Sequence, residues 1–185
     1  MKTLMRLSLT FTMALFLASQ TIADEIPVEK GKLPLFKAHN LVDSKEIDLA
    51  KFKGHVLIVD FWATWCPPCV KEIPDFVKMY KKYKDKGFAI IGISVDADQK
   101  AVEKFIKEHK ITYPIVMVSE EIIAAFEKAL DKPIRGMPTT LIIDRGGKIV
   151  SVHEGYTKKD VFLKAIKPLL KKKAPNGVEQ TAKRR

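Results

Sequence analysis

Two stretches of the chain are apolar at nearly every position. Residues 56–63 read Val-Leu-Ile-Val-Asp-Phe-Trp-Ala, and residues 88–95 read Phe-Ala-Ile-Ile-Gly-Ile-Ser-Val. Unbroken runs of this length predict central strands covered on both faces. Between them, residues 69–86 set Val70, Ile73, Val77 and Tyr80 at helical spacing and stop at Gly87. That pattern predicts an amphipathic helix which Pro74 interrupts with a kink. A second helix is expected over 98–109, with Val102, Phe105 and Ile106 inward, and a third over 120–130 after a short apolar stretch at 113–118. Residues 139–144 and 148–152 flank Arg145-Gly146-Gly147 and read as two strands of a hairpin. Thr157 is expected to cap a closing helix over 158–172 whose inward face is Val161, Phe162, Ala165, Ile166 and Leu169.

Ahead of the first long strand the pattern is weaker. Residues 33–39 alternate loosely, and Pro34 makes them an edge strand at best. Residues 44–53 predict a short helical turn before Gly54. The resulting order calls for an α/β fold with a central mixed sheet and helices on both faces. Its early strand-helix-strand half should be parallel and its hairpin antiparallel.

The ends of the chain differ from this body. Lys2 and Arg6 precede an apolar-rich run over 7–18, and small residues lead to Ala23. This is the layout of a secretory signal peptide over residues 1–23, cleaved after Ala23. A retained anchor is the alternative, although the run is short of the roughly 20 residues that span a bilayer. Lipid attachment in the leader is excluded because it has no cysteine. A bacterial chain of this kind would be periplasmic, with no stable membrane insertion after cleavage. Residues 24–32 read as a flexible lead-in, 33–172 as the domain, and 173–185 as a basic disordered tail.

Loss of the leader lowers the formal charge from +11 to +9, because Lys2 and Arg6 go with it. The remaining excess sits on Lys78, Lys81, Lys82, Lys84 and Lys86 and at the C-terminus. With no nucleic-acid motif beside them, these lysines read as a solvated face, and nucleic acid is not an expected partner.

The chemistry is carried by Trp65-Cys66-Pro67-Pro68-Cys69, which follows the first buried strand and opens the first helix. Cys66 and Cys69 are the only cysteines in the chain. A C-x-x-C pair at a helix start is a redox arrangement. The partial positive charge of the helix terminus favours the first thiolate, and the second sulfur lies close enough to close a ring with it. Pro67 and Pro68 remove two N–H donors and stiffen the turn. Haem attachment would need a histidine where Val70 stands. A structural zinc site would need four ligands, and His39, His55, His109 and His153 are scattered.

The stretch from Val59 to Cys69 resembles the active-site strand and turn of the thioredoxin superfamily, and Gly136-Met137-Pro138-Thr139-Thr140 resembles its cis-proline loop. The leader, the Trp-Cys-Pro-Pro-Cys form and a strand-helix element inserted between the halves are similar to the exported TlpA/ResA-like branch. The resemblance implies a thioredoxin fold and dithiol–disulfide exchange with no bound cofactor. It implies Cys66 as the partly exposed attacking thiol, with a pKa below the free value of about 8.5, and Cys69 as the resolving thiol. It implies a buried proton-relay acid at Asp60, where the alternative is a solvated acid at the strand end. Glu72 matches an acid near the thiols of ResA-like reductases, though it also suits a helix's first turn. Carrying both acids departs from the ResA-like pattern, in which the strand position is often an amide.

Trp65 is expected to shield the sulfurs or simply to pack. Met137, before a cis Pro138, is expected to turn its backbone toward the thiols and pair with an extended substrate segment. The implied substrates are thiols and disulfides of exported proteins, such as apocytochrome c cysteines, with a membrane electron donor keeping the pair reduced. Two alternatives stand beside this reductant: a periplasmic disulfide oxidant, and a Cu(I) carrier using the same cysteines with His153 as a further ligand.

Overall fold

A computed structural model of the chain describes residues 26–174. The leader expected over 1–23 and nearly all of the tail expected over 173–185 lie outside the described residues. The two apolar runs form the middle of a five-stranded sheet. They are β3 (Val56–Trp62) and β4 (Phe88–Ser94), and every residue of both is buried. The sheet order is β5-β4-β3-β6-β7, with β5 at Ile115–Met117, β6 at Thr139–Ile143 and β7 at Ile149–Glu154. β3, β4 and β5 run parallel, whereas β6 is antiparallel to β3 and β7 to β6. This is the mixed sheet that the order of elements predicts.

Because side chains alternate along a strand, the two faces carry different sets. Val56, Ile58 and Trp62 join Ile90 and Ile142 under α1 (Pro67–Tyr83), α2 (Gln99–Glu108) and α4 (Lys159–Lys171). Leu57, Val59, Phe61, Ile91 and Leu141 face α3 (Glu120–Leu130) through Ile122 and Phe126. Helices therefore cover both faces. Among the described residues no helix is long and apolar enough to cross a membrane.

Several local expectations are corrected. The helix α1 runs through Pro74 without a break, and its buried face is Cys69, Glu72, Ile73, Phe76, Met79 and Tyr83, with Val70, Val77 and Tyr80 half-buried. In α4 only Phe162 and Ile166 are buried, and Val161 is exposed, because the helix leans on the sheet through a narrow stripe. Thr157 does not cap α4; Lys158 holds that position without a side-chain bond, and the Thr157 hydroxyl turns instead to the Gly155 carbonyl. The turn expected over 44–53 is a strand, β2 (Glu46–Asp48), followed by a 3-10 turn at Leu49–Phe52.

β2 pairs with β1 (Lys37–His39) in a separate two-stranded sheet, set against β5 by Asn40. The Asn40 carboxamide oxygen accepts the N–H of Ile115 at 3.0 Å, and the N–H of Leu41 donates to the Ile115 carbonyl at 2.8 Å. The lead-in, expected to be loose, is tied down from Ile26 onward. Gly31 donates to the Ala129 carbonyl at 2.8 Å and Leu33 to that of Gly147 at 2.8 Å, while Ile26 packs on the α3 side of the core. Backbone donors and acceptors at a sheet border are satisfied by such segments more cheaply than by burial without partners.

At the end of the sheet away from the cysteines, Arg145 gathers three chain segments. Its guanidinium donates to the carbonyls of Gly54 at 2.5 Å, Lys86 at 3.1 Å and Leu170 at 3.1 Å. Gly87, at φ +75°, leaves the room; a Cβ there would stand 2.6 Å from Arg145 Nη1. Arg145→Ala should therefore lower unfolding free energy by about 2–4 kcal/mol, the loss of charged hydrogen bonds to carbonyls left without partners. Urea melts of the two proteins measure this, and a change below about 0.5 kcal/mol would mean that water replaces the clamp.

Candidate active site

The site forms where β3 runs into α1. Cys66 is the N-cap of α1 in extended backbone, φ −98° and ψ 101°, and Pro67 and Pro68 are its first two helical residues. Neither proline has an N–H, so the first backbone donor the helix offers is that of Cys69. It points at Cys66 Sγ, 3.3 Å away. The two prolines thus leave one donor and the helix terminus to act on one sulfur, which favours a thiolate there once the bond is reduced. Cys66 and Cys69 are joined as a disulfide. Their exposures are 4 % and 1 %, so the order of depth is as expected but Cys66 is more covered than the partly exposed thiol predicted. Both belong to the apolar cluster against which Met137 packs, and Met137-Pro138 is a cis peptide.

The turn before Cys66 is held by a buried carboxylate that sequence reading missed. Asp96, after β4, accepts Thr64 Oγ1–H at 2.5 Å, the Thr64 N–H at 3.0 Å and Ser94 Oγ–H at 2.7 Å. With Thr64 pinned inward, Trp65 projects outward and is 66 % exposed. It is an open aromatic surface next to Cys66 in the chain, not a packed core residue. On the other side of the site the Gly155 N–H donates to the Pro138 carbonyl at 2.8 Å, which sets the exposed Tyr156 beside the cis-proline loop. Lys71 Nζ lies 4.3 Å over the Tyr156 ring.

Two acids are buried in the elements that carry the cysteine turn. Asp60 is within the buried central strand at 2 % exposure, not solvated at its end. Burial pushes its carboxyl well above the ordinary range; a hydrogen bond from Thr140 Oγ1 at 2.8 Å opposes this, and the charge of Glu72 adds to it. Glu72 lies in the buried face of α1, one turn beyond Cys69, also at 2 % exposure. Its Oε1 accepts the N–H of Thr157, and its Oε2 is buried without a protein partner. Burial raises its pKa to about 7, against the pull of that Thr157 bond. Two carboxyls that keep their protons toward neutrality, close enough to feel each other, can take up and release a proton near neutral pH. Nothing in the sequence separates Thr157 from a helix cap, and the spacing of Glu72 from Cys69 and Phe76 is what signals its burial.

The other predicted residues are accounted for individually. Thr139 is buried in β6 and donates to the Gly136 carbonyl at 2.6 Å. His153 lies in β7, with Nε2 3.2 Å from Ser151 Oγ and its ring against Phe162. Among the described residues no three of His, Cys, Asp and Glu form a ligand group.

Comparison with known proteins agrees with this geometry. The family model described as Redoxin matches residues 29–166. The chain is 35 % identical over 149 residues to "Thiol-disulfide oxidoreductase ResA" of Bacillus thuringiensis subsp. konkukian, covering 78 % of this chain and 82 % of that protein. The protein of the same name from Bacillus subtilis is 31 % identical over 130 residues, covering 68 % and 69 %. Among solved structures, a thiol:disulfide interchange protein of the thioredoxin family from Chlorobium tepidum superposes with a TM-score of 0.71 at 36 % identity, covering 78 % of this chain and 99 % of that one.

Proposed function

The chain belongs to the redoxin family, as a ResA-like thiol-disulfide oxidoreductase with a Cys66–Cys69 disulfide, and on that premise we propose that it reduces disulfides of exported proteins. In the productive direction the Cys66 thiolate attacks one sulfur of a client disulfide. The client S–S bond breaks, a Cys66–client bond forms, and the departing client thiolate takes up a proton. Cys69 then loses its proton to the buried acids and attacks Cys66 Sγ. The mixed disulfide breaks, the second client thiol leaves, and the chain is left oxidised by two electrons. A dithiol donor must restore it, and in an oxidising compartment that donor is membrane-bound. Apocytochrome c cysteines are the client class the family resemblance favours.

The single observation that supports the reductant reading is the pair of buried acids on the elements flanking the cysteine turn, Asp60 in β3 and Glu72 one turn beyond Cys69 in α1. An oxidant is favoured by a very stable thiolate on the first cysteine, whereas these acids assist ionisation of the second. The extended segment of a client lies along the backbone of Met137, beside Trp65 and Tyr156, while its cysteine reaches Cys66. The reading also places the mature protein outside the cytoplasm.

Equilibration of the chain with glutathione or dithiothreitol buffers tests the direction. The expected reduction potential is near that of thioredoxin, about −270 mV, and a value near −120 mV would make the protein an oxidant instead.

A further inference from the structure

The sheet face beneath α1, α2 and α4 is apolar at almost every level, and one level breaks the pattern. There β3 carries Asp60, β6 carries Thr140 directly opposite, and β7 carries His153 opposite Thr140. On its other side Asp60 is paired with Gly92 of β4. Gly92 has no side chain to offer, and the space above it is taken. A Cβ there would stand 2.5 Å from Ile115 Cδ1 and 2.9 Å from Trp62 Nε1. Of the two flanking strands, only β6 can present the Asp60 side chain with a donor. Thr140 does so from 0 % exposure, its Oγ1 2.8 Å from Oδ1.

A buried hydroxyl needs a partner, so part of this bond is explained by Thr140 alone. Its effect on Asp60 is a separate matter. A donor aimed at a carboxylate oxygen stabilises the ionised form and fixes which oxygen stays free. We propose that Thr140 is a positioning residue for the exchange reaction, holding Asp60 in an orientation and charge state that let it take the proton of Cys69. The inference rests on the reading that Asp60 handles that proton. The other titratable groups on this face of the sheet act differently. Glu72 on α1 opposes the ionisation of Asp60 by charge, Tyr113 ahead of β5 stays neutral, and burial lowers the pKa of His153 on β7.

The test uses the full chain with Thr140→Val, which keeps the shape and removes the hydroxyl, and Thr140→Ser, which keeps the hydroxyl. Thr140→Ala is a second hydroxyl-free variant should valine fold poorly. Two quantities are followed against pH: the rate at which the mixed disulfide with a cysteine peptide resolves, and the carboxyl carbon resonance of Asp60, assigned with Asp60→Asn. Without the hydroxyl, both midpoints should move upward by about one pH unit, the size of one hydrogen bond to an ionised group, and resolution at pH 7 should slow about tenfold. Thr140→Ser should keep the native midpoints. A hydroxyl-free variant that melts earlier but titrates at the native midpoint would overturn the proposal, leaving Thr140 a packing residue. If Asp60→Asn itself leaves the rate profile unchanged, the reading of Asp60 fails, while the resonance still decides whether Thr140 governs its charge.

Discussion

Cys66→Ser should abolish disulfide exchange, by roughly a thousandfold or more, while Cys69→Ser should still make the first attack and then stall. The asymmetry follows from the helix start. Cys66 caps α1, with no N–H on either of the next two residues and the Cys69 N–H directed at its sulfur. Those features favour a thiolate at position 66 alone. Cys69 lies inside the first turn at 1 % exposure, where a client disulfide has no approach. Serine at 66 leaves no accessible nucleophile, since the sequence holds no third cysteine. Serine at 69 leaves the nucleophile and removes the group that expels the client. Mass spectrometry after incubation with a disulfide-bonded peptide should find a covalent adduct on Cys69→Ser and none on Cys66→Ser. The reverse pattern would exchange the two roles.

The second large effect is on the two buried acids, where stability and rate should move in opposite directions. Glu72 titrates at about 7, and burial lifts Asp60 well above the carboxylate range. In the unfolded chain both release their protons near the ordinary range, about 4 to 4.5. Between that range and the folded values the native state binds more protons than the unfolded one, so stability falls as pH rises. For Glu72 the loss runs from about pH 4.5 to about 7, and for Asp60 it continues until that group ionises. Asp60→Asn keeps an acceptor for Thr140 without a charge to bury. It should leave the melting temperature at pH 4 nearly unchanged and raise it at pH 8 by roughly 5 °C. The same variant should resolve the mixed disulfide about a hundredfold more slowly, the loss of a general base. Glu72→Gln should flatten the dependence between pH 4.5 and 7 in the same sense. If Asp60→Asn proved less stable at pH 8 than the native protein, the acid would be serving the fold.

Most of the framework is legible in the chain because it rests on long, uniform signals. The two apolar runs can only be central strands, and Gly146-Gly147 between strand-like segments can only be a hairpin. Asp60 is legible for the opposite reason: a single acid in an apolar run is costly unless it is used. The burial of Glu72 is legible too, since it lies three after Cys69 and four before Phe76, on the stripe that holds them both. What stayed hidden depends on register. The Thr140–Asp60 bond spans 80 residues, and the Asp96–Thr64 bonds span 32. No local pattern reports which residue of one strand will stand opposite which of another. The β1–β2 pair was hidden because three-residue strands carry too few side chains to show alternation. Thr157 shows how residue type misleads, since its hydroxyl turns to the Gly155 carbonyl and its N–H to Glu72.

The segment at Asn40 and Leu41 occupies both hydrogen-bonding groups that Ile115 would otherwise present at the rim of β5. At the opposite rim Gly31 takes the Ile149 N–H and Lys32 bridges Lys148. An exposed strand border is a template on which unfolded polypeptide accumulates. Here part of that template, at Ile115 on one rim and at Lys148 and Ile149 on the other, is already filled by the chain itself. Those stretches of the two borders are thereby closed to pairing with a second polypeptide.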